Sequence, residues 1–176
     1  MQMSVSILRQ SLLGANFALA ALCAAPVFAQ DMAAPTGDVI LTVSGNIASS
    51  NGNDVLALDA ELFAALPQHS FTTGTIWTKG TATYTGVLLR DLLAAVGAKG
   101  DTVMLTALND YLIEMPASDA LENGPLLANL SDGQPMSLRD KGPIWLVYPY
   151  DDVAEYRSEQ TYARSIWQLN RIEVAD

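Results

Sequence analysis

The chain has 176 residues, with 9 basic against 19 acidic side chains, a formal charge of −10, one histidine and one cysteine. Such an excess of acids disfavours nucleic acid and anionic membrane surfaces as partners. A single histidine, His69, leaves too few donors for a zinc centre, and a Ser-His-Asp arrangement would have to use that same residue.

The first 29 residues carry one charge, Arg9, and a mostly apolar stretch from Leu12 to Ala25 that ends in Val27-Phe28-Ala29. A short apolar run closed by small residues describes a secretory signal peptide cut between Ala29 and Gln30. The run falls short of the roughly 20 residues that span a bilayer, so no membrane insertion is expected. Cys23 lies inside it, preceded by Leu22 where a lipid anchor wants a small residue. The chain beyond Ala29 keeps 8 basic and 19 acidic residues and no thiol, so it has no disulfide, thiolate ligand or cysteine nucleophile. Its length suits one domain, 38–176, behind a flexible lead-in over 30–37.

Along that domain, "DVILTVSGNI" places Val39, Leu41 and Val43 on one side of a first strand. Asp59 caps a short helix that buries Leu62, Phe63 and Leu66 and stops at Pro67. "HSFTTGTIWTKGTATYTG" favours two short strands, and "VLLRDLLAAVGAKG" switches to helical spacing with Gly97 as the C-terminal cap. "DTVMLTALNDYLIEM" reads as a strand, an Asn109-Asp110 corner and a continuation, and Asp132-Gly133 marks a hairpin. Ile144 to Tyr148 and Ser165 to Val174 are the last strands, with "VAEYRSEQTYAR" between them as a helical turn or a long loop. Strands dominate and a few short helices interrupt them, which predicts an α+β fold with mixed sheets.

No phosphate-cradling or dinucleotide fingerprint occurs, nor a Gly-x-Ser-x-Gly turn. The chemistry concentrates in the last third. Trp145, Tyr148, Tyr150, Tyr156, Tyr162 and Trp167 interleave there with Arg157 and Arg164, and Arg139, Lys141 and Arg171 fall in the same stretch. Aromatic faces stack a planar heterocycle, guanidinium groups hold its oxygens and carboxylates accept from its N–H groups. The plainer alternative makes Trp145 and Trp167 core residues with the tyrosines covering them.

Taken in order, "YTGVLLRDLLAAVG", "VMLTALNDYLIEMPASDA", "LLANLSDGQPMSLRDKGPIWLVYPYDD" and "RSIWQLNRIEV" resemble the molybdopterin-binding domain of the sulfite-oxidase-like family, from about Asp38 to Val174. The resemblance implies that fold and a cysteine thiolate on molybdenum shortly before the tryptophan. The matching stretch here, "SFTTGTIW", has threonines and no cysteine. Short exported members without that cysteine look like periplasmic pterin-binding proteins, some of them partners of membrane sensors that control cyclic-di-GMP synthesis. The implied ligand is a free reduced pterin bound without catalysis; a molybdopterin-dependent oxidoreductase with an unusual metal ligand is the alternative. Candidate contacts are Asp110, Asp151 and Asp152 for the guanidine-like edge, Trp77, Trp145, Tyr148 and Tyr150 for the ring face, and Arg139 or Arg164 for oxygens, with Asn109 beside Asp110.

Overall fold

The computed structural model describes residues 32–176, so the expected leader and Cys23 lie outside the described residues. Among the described residues ten strands build two sheets. The first opens with β1 (Val39–Gly45) and β2 (Leu56–Asp59), paired antiparallel. Leu41 and Val43 are fully buried, as their alternation requires, whereas Val39 is exposed because the register shifts between it and Leu41. Asp59 then caps α1 (Ala60–Ala65): one carboxylate oxygen accepts from the Leu62 N–H and the other from those of Thr36 and Gly37. These bonds hold its carboxyl below the ordinary value, Leu62 and Gly37 contributing most. The six-residue helix is too short to bury a broad face; Phe63 and Leu66 go inside while Leu62 stays half-buried.

β3 (Gln68–Gly74) and β4 (Thr81–Leu88) form the two strands expected between His69 and Gly86. The chain turns directly into α2 (Leu89–Ala95), which buries Leu89, Leu92 and Leu93. Gly97, at φ +61°, ends it: its N–H donates to Ala94 O and the Ala98 N–H to Leu93 O, a Schellman pair. β5 (Thr102–Ala107) and β6 (Leu112–Pro116) meet across the Asn109-Asp110 corner, with Asp110 left-handed at φ 63°. β7 (Leu126–Ser131) and β8 (Gln134–Pro135) flank Asp132 and Gly133, both at positive φ as a two-residue hairpin turn demands.

β9 (Trp145–Val147) is buried throughout and pairs with β7; it is shorter than the predicted Ile144 to Tyr148, with Ile144 making only a bridge to Leu169. The ambiguous segment resolves into a tight turn at 154–156 and α3 (Glu159–Arg164), capped by Ser158. β10 (Leu169–Ala175) begins four residues later than predicted, because 165–168 form a loop instead. The first sheet runs β2-β1-β10-β5-β6 and the second β3-β4-β7-β8, with β9 beside β7. Both give side chains to one core, Leu41, Leu105 and Ile172 from the first and Tyr84, Leu127 and Trp145 from the second. The architecture is α+β, as the sequence indicates. Among the described residues no helix is long and apolar enough to cross a membrane.

Candidate functional site

A cleft of about 390 Å³ opens where three loops converge, a size within the range of about 300–1,000 Å³ usual for small-molecule sites. The β3–β4 loop supplies Trp77, the β5–β6 hairpin supplies Asn109 and Tyr111, and the end of α3 with the loop after it supplies Tyr162, Ser165 and Trp167. Trp77 is held locally by its N–H, which donates to Thr75 Oγ1, itself bonded to Thr78 Oγ1. Its indole meets three rings edge-on, Trp145, Tyr162 and Trp167, with centroids 5.9, 5.8 and 5.8 Å away. Trp145 stands behind it in the core, anchored by a 3.1 Å bond from Nε1 to Ser165 O.

Lys141 sits at the edge of this wall, its Nζ 5.2 Å from the Trp145 ring centroid and 5.1 Å from that of Trp167. Both Lys141 (φ 99°) and Gln168 (φ 54°) are left-handed residues other than glycine, a conformation that costs roughly 1–3 kcal/mol each unless the surroundings enforce it. They enforce each other: Gln168 N–H donates to Lys141 O, and Gln168 Nε2 to Leu138 O. Asn109 uses its Oδ1 to accept from the Tyr111 N–H, which orients its amide on the hairpin.

Of the residues named from sequence, Trp77 and Asn109 line the cleft and Trp145 backs it. Asp110 stands at the hairpin, exposed and paired with Arg171. Tyr148 and Tyr150 are 3% and 2% exposed, because the apolar run of β9 continues inward past Val147. Burial raises the hydroxyl pKa of both: that of Tyr150 is pushed up to about 12, and Tyr148 O–H, which has no hydrogen-bond partner among the described residues, rises further. Tyr150, Asp151 and Arg157 edge a second hollow of about 270 Å³, which shares Tyr162 with the cleft. Asp151 is spent on the fold there, accepting from the Gly74 N–H at 2.6 Å. Arg164 pairs with Asp119 at 2.6 Å, and Asp152 and Arg139 are exposed. Tyr111, Tyr162, Ser165 and Trp167 also line the cleft without having been singled out as contacts. The aromatic density of the last third was a signal for Tyr162 and Trp167; nothing local marked Tyr111 or Ser165.

The family model for the oxidoreductase molybdopterin binding domain matches residues 58–174, from β2 to β10. The chain belongs to this family. A solved structure with the same sulfite-oxidase-like fold is the sulfane dehydrogenase SoxCD from Paracoccus pantotrophus, at 18% identity and a TM-score of 0.59. The likeness covers 82% of this chain but only 40% of that one. No curated protein matches the chain.

Membership raises the question whether these residues fit the family's cofactor. A thiolate-bound molybdenum needs a soft, ionised sulfur, and the described residues include no cysteine. The threonines in the corresponding stretch are already engaged. Thr72 Oγ1 bonds Thr83 Oγ1, Thr75 Oγ1 bonds Thr78 Oγ1, and the buried Thr73 Oγ1 donates to Gly74 O and accepts from the Asp151 N–H. Among the described residues no three His, Cys, Asp or Glu side chains gather as a metal site would require. The donor set does not fit such a metal. The cleft's indole and phenol walls do fit a flat heterocycle.

Proposed function

We propose that this domain binds a reduced pterin ring in the cleft between Trp77, Tyr162 and Trp167, as a binding protein and not as a molybdenum enzyme. The observation that carries the reading is the pairing of an aromatic cleft with a family-cofactor stretch whose three threonine hydroxyls are all tied to protein partners. Ring stacking supplies affinity, while the Asn109 amide, whose N–H groups are left over by its bond to Tyr111, supplies donors to a pterin's oxo and ring-nitrogen acceptors. Lys141 adds positive potential beside the ring.

The same proposal places the protein in the periplasm, supported by the leader pattern of residues 1–29, with the sensory domain of a membrane protein as partner, supported by the likeness to short exported members of the family. The test begins with protein isolated anaerobically from its native host. After denaturation, the released small molecules are oxidised and assayed for pterin fluorescence, and molybdenum is measured in the same sample. Pterin without metal is expected. Stoichiometric molybdenum with a larger pterin would overturn the reading in favour of an oxidoreductase with an unusual ligand.

A further inference from the structure

The two sheets end in four outer strands, β2 and β6 in the first and β3 and β8 in the second. An outer strand shows a row of open N–H and C=O groups and pairs with other chains unless it is short, charged, bulged or interrupted by proline. Three of the four carry such a device. β2 has four residues and closes on Asp59, β6 has the exposed Glu114 and ends in Pro116, and β8 has two residues, the second Pro135. β9 is also spoken for, since the Leu146 N–H donates to Ile166 O.

β3 has none of them. Its seven residues, QHSFTTG, include no lysine, arginine, carboxylate or proline, and they pair with β4 from Gln68 to Gly74 without a register shift. The Gly74 N–H donates to Asp151 Oδ2 and therefore points away from β4. Period-two alternation turns the N–H and C=O groups of Thr72 and Ser70 the same way. No backbone group outside the β3–β4 ladder meets them among the described residues, and both residues are exposed.

We propose that this edge pairs with β3 of a second copy, antiparallel about a two-fold axis, so that two five-stranded sheets become one continuous sheet. A twofold centred on Phe71 sets Ser70 opposite Thr72 in both directions, and each such pair exchanges both of its outward main-chain bonds. Small hydroxyl side chains face each other across the join, a favourable cross-strand pairing. The self-complementary register selects a second copy as the occupant. Two copies at −10 repel over most of their surfaces, but β3 and its neighbour β4 contain no acidic or basic residue other than His69, so the paired strands bring no carboxylate of their own to the join, which Asp151 on Gly74 and Asp91 on His69 flank. The Asp151 carboxylate on Gly74 ends the pairing at that point. A contact this short buries less than the roughly 1,200 Å² of a stable interface, so the dimer is weak and concentration-dependent.

Sedimentation equilibrium of the purified protein from about 10 μM to about 1 mM, the range in which an association of this strength becomes visible, tests it. The weight-average mass is expected to climb from monomer towards dimer, and amide exchange at Ser70 and Thr72 to slow as it does. Ser70→Pro removes an outward N–H that the monomer does not use, and Thr72→Lys sets a charge on the edge. Each is expected to hold the mass at monomer; should the proline variant fail to fold, the lysine variant carries the test alone. A wild-type protein that stays monomeric throughout overturns the proposal. So does a dimer that survives in the folded variants, since it would use another face.

Discussion

Trp77 is the ring on which the cleft depends, and replacing it with alanine separates its structural from its binding role. Its three edge-on contacts, to Trp145, Tyr162 and Trp167, are each worth about 0.5–1.5 kcal/mol beyond area burial. They share one indole and so do not add in full. A fully buried Trp→Ala change costs about 3–5 kcal/mol, and Trp77 is only half-buried beside a cleft that water can fill, so about 2–4 kcal/mol is expected for Trp77→Ala. For a domain of this size that lowers Tm by roughly 5–12 °C. Ligand gives the second readout. A reduced pterin at a hundredfold excess over its Kd adds about 2.7 kcal/mol to the wild type. The alanine variant should lose most of that gain, and Trp77→Phe, which keeps a ring, should retain part of it. Thermal unfolding by near-ultraviolet circular dichroism, anaerobically and with or without tetrahydropterin, measures both. A destabilisation below about 1 kcal/mol would show that the three contacts do not hold the loop. Full pterin stabilisation in both Trp77→Ala and Trp167→Ala would refute the cleft as the site.

Ser165 Oγ donates to Thr161 O, so the Tyr150 hydroxyl is the donor in their mutual bond; Tyr150→Phe should cost about 1–2 kcal/mol in urea titrations at neutral pH. Burial holds that hydroxyl protonated to about 12 against 10.0 in the open chain, so the unfolded state releases its proton first. Stability should therefore fall as pH rises above 10, and fall less steeply in Tyr150→Phe, with Tyr148, Tyr84 and Tyr156, whose hydroxyls burial also raises, supplying the remaining slope. Asp59 acts at the opposite end: its carboxyl is held below 3.8, so its contribution is present above that pH and lost as pH falls through its lower folded value, and Asp59→Asn should flatten the acid limb of the stability profile. Gly86→Ala would set a Cβ 2.0 Å from Leu127 O in the neighbouring strand, and a loss of about 3 kcal/mol in denaturant titration is expected, since backbone has to move.

The elements legible in the sequence are those specified by neighbours in the chain. As a helix cap Asp59 needs only the Leu62 N–H that follows it in α1, Gly97 only the end of α2, and Asp132-Gly133 only the strands on either side. The cleft is of another kind. Trp77, Tyr111 and Trp167 are brought together from a loop of the second sheet, a hairpin of the first and the chain just before β10, and no local pattern encodes that meeting. The stretch Tyr148-Pro-Tyr-Asp-Asp shows the converse. Its composition suits a ligand, yet the two phenols pack inward with Tyr156 and Tyr162, and Asp151 ties the β3 end to the loop after β9. Residue type alone does not distinguish a carboxylate that meets a ligand from one that meets a backbone N–H.

That tie bears on the missing thiolate. The Asp151 N–H donates to Thr73 Oγ1 while Asp151 Oδ2 accepts from the Gly74 N–H, a reciprocal joint immediately before the loop that carries Trp77. On the proposed reading this joint, made of protein alone, is what sets the cleft wall. If so, protein made in a host unable to synthesise molybdopterin should fold to the same Tm as protein from a competent host, and its near-ultraviolet spectrum, dominated by the indoles around Trp77, should be unchanged. A metal-organised loop predicts otherwise: the cofactor-free protein would melt lower by the binding term, and its aromatic signal would weaken as Trp77 left its three partners. A Tm difference of more than a few degrees between the two preparations would mean that the Thr73–Asp151 joint is not what holds the wall.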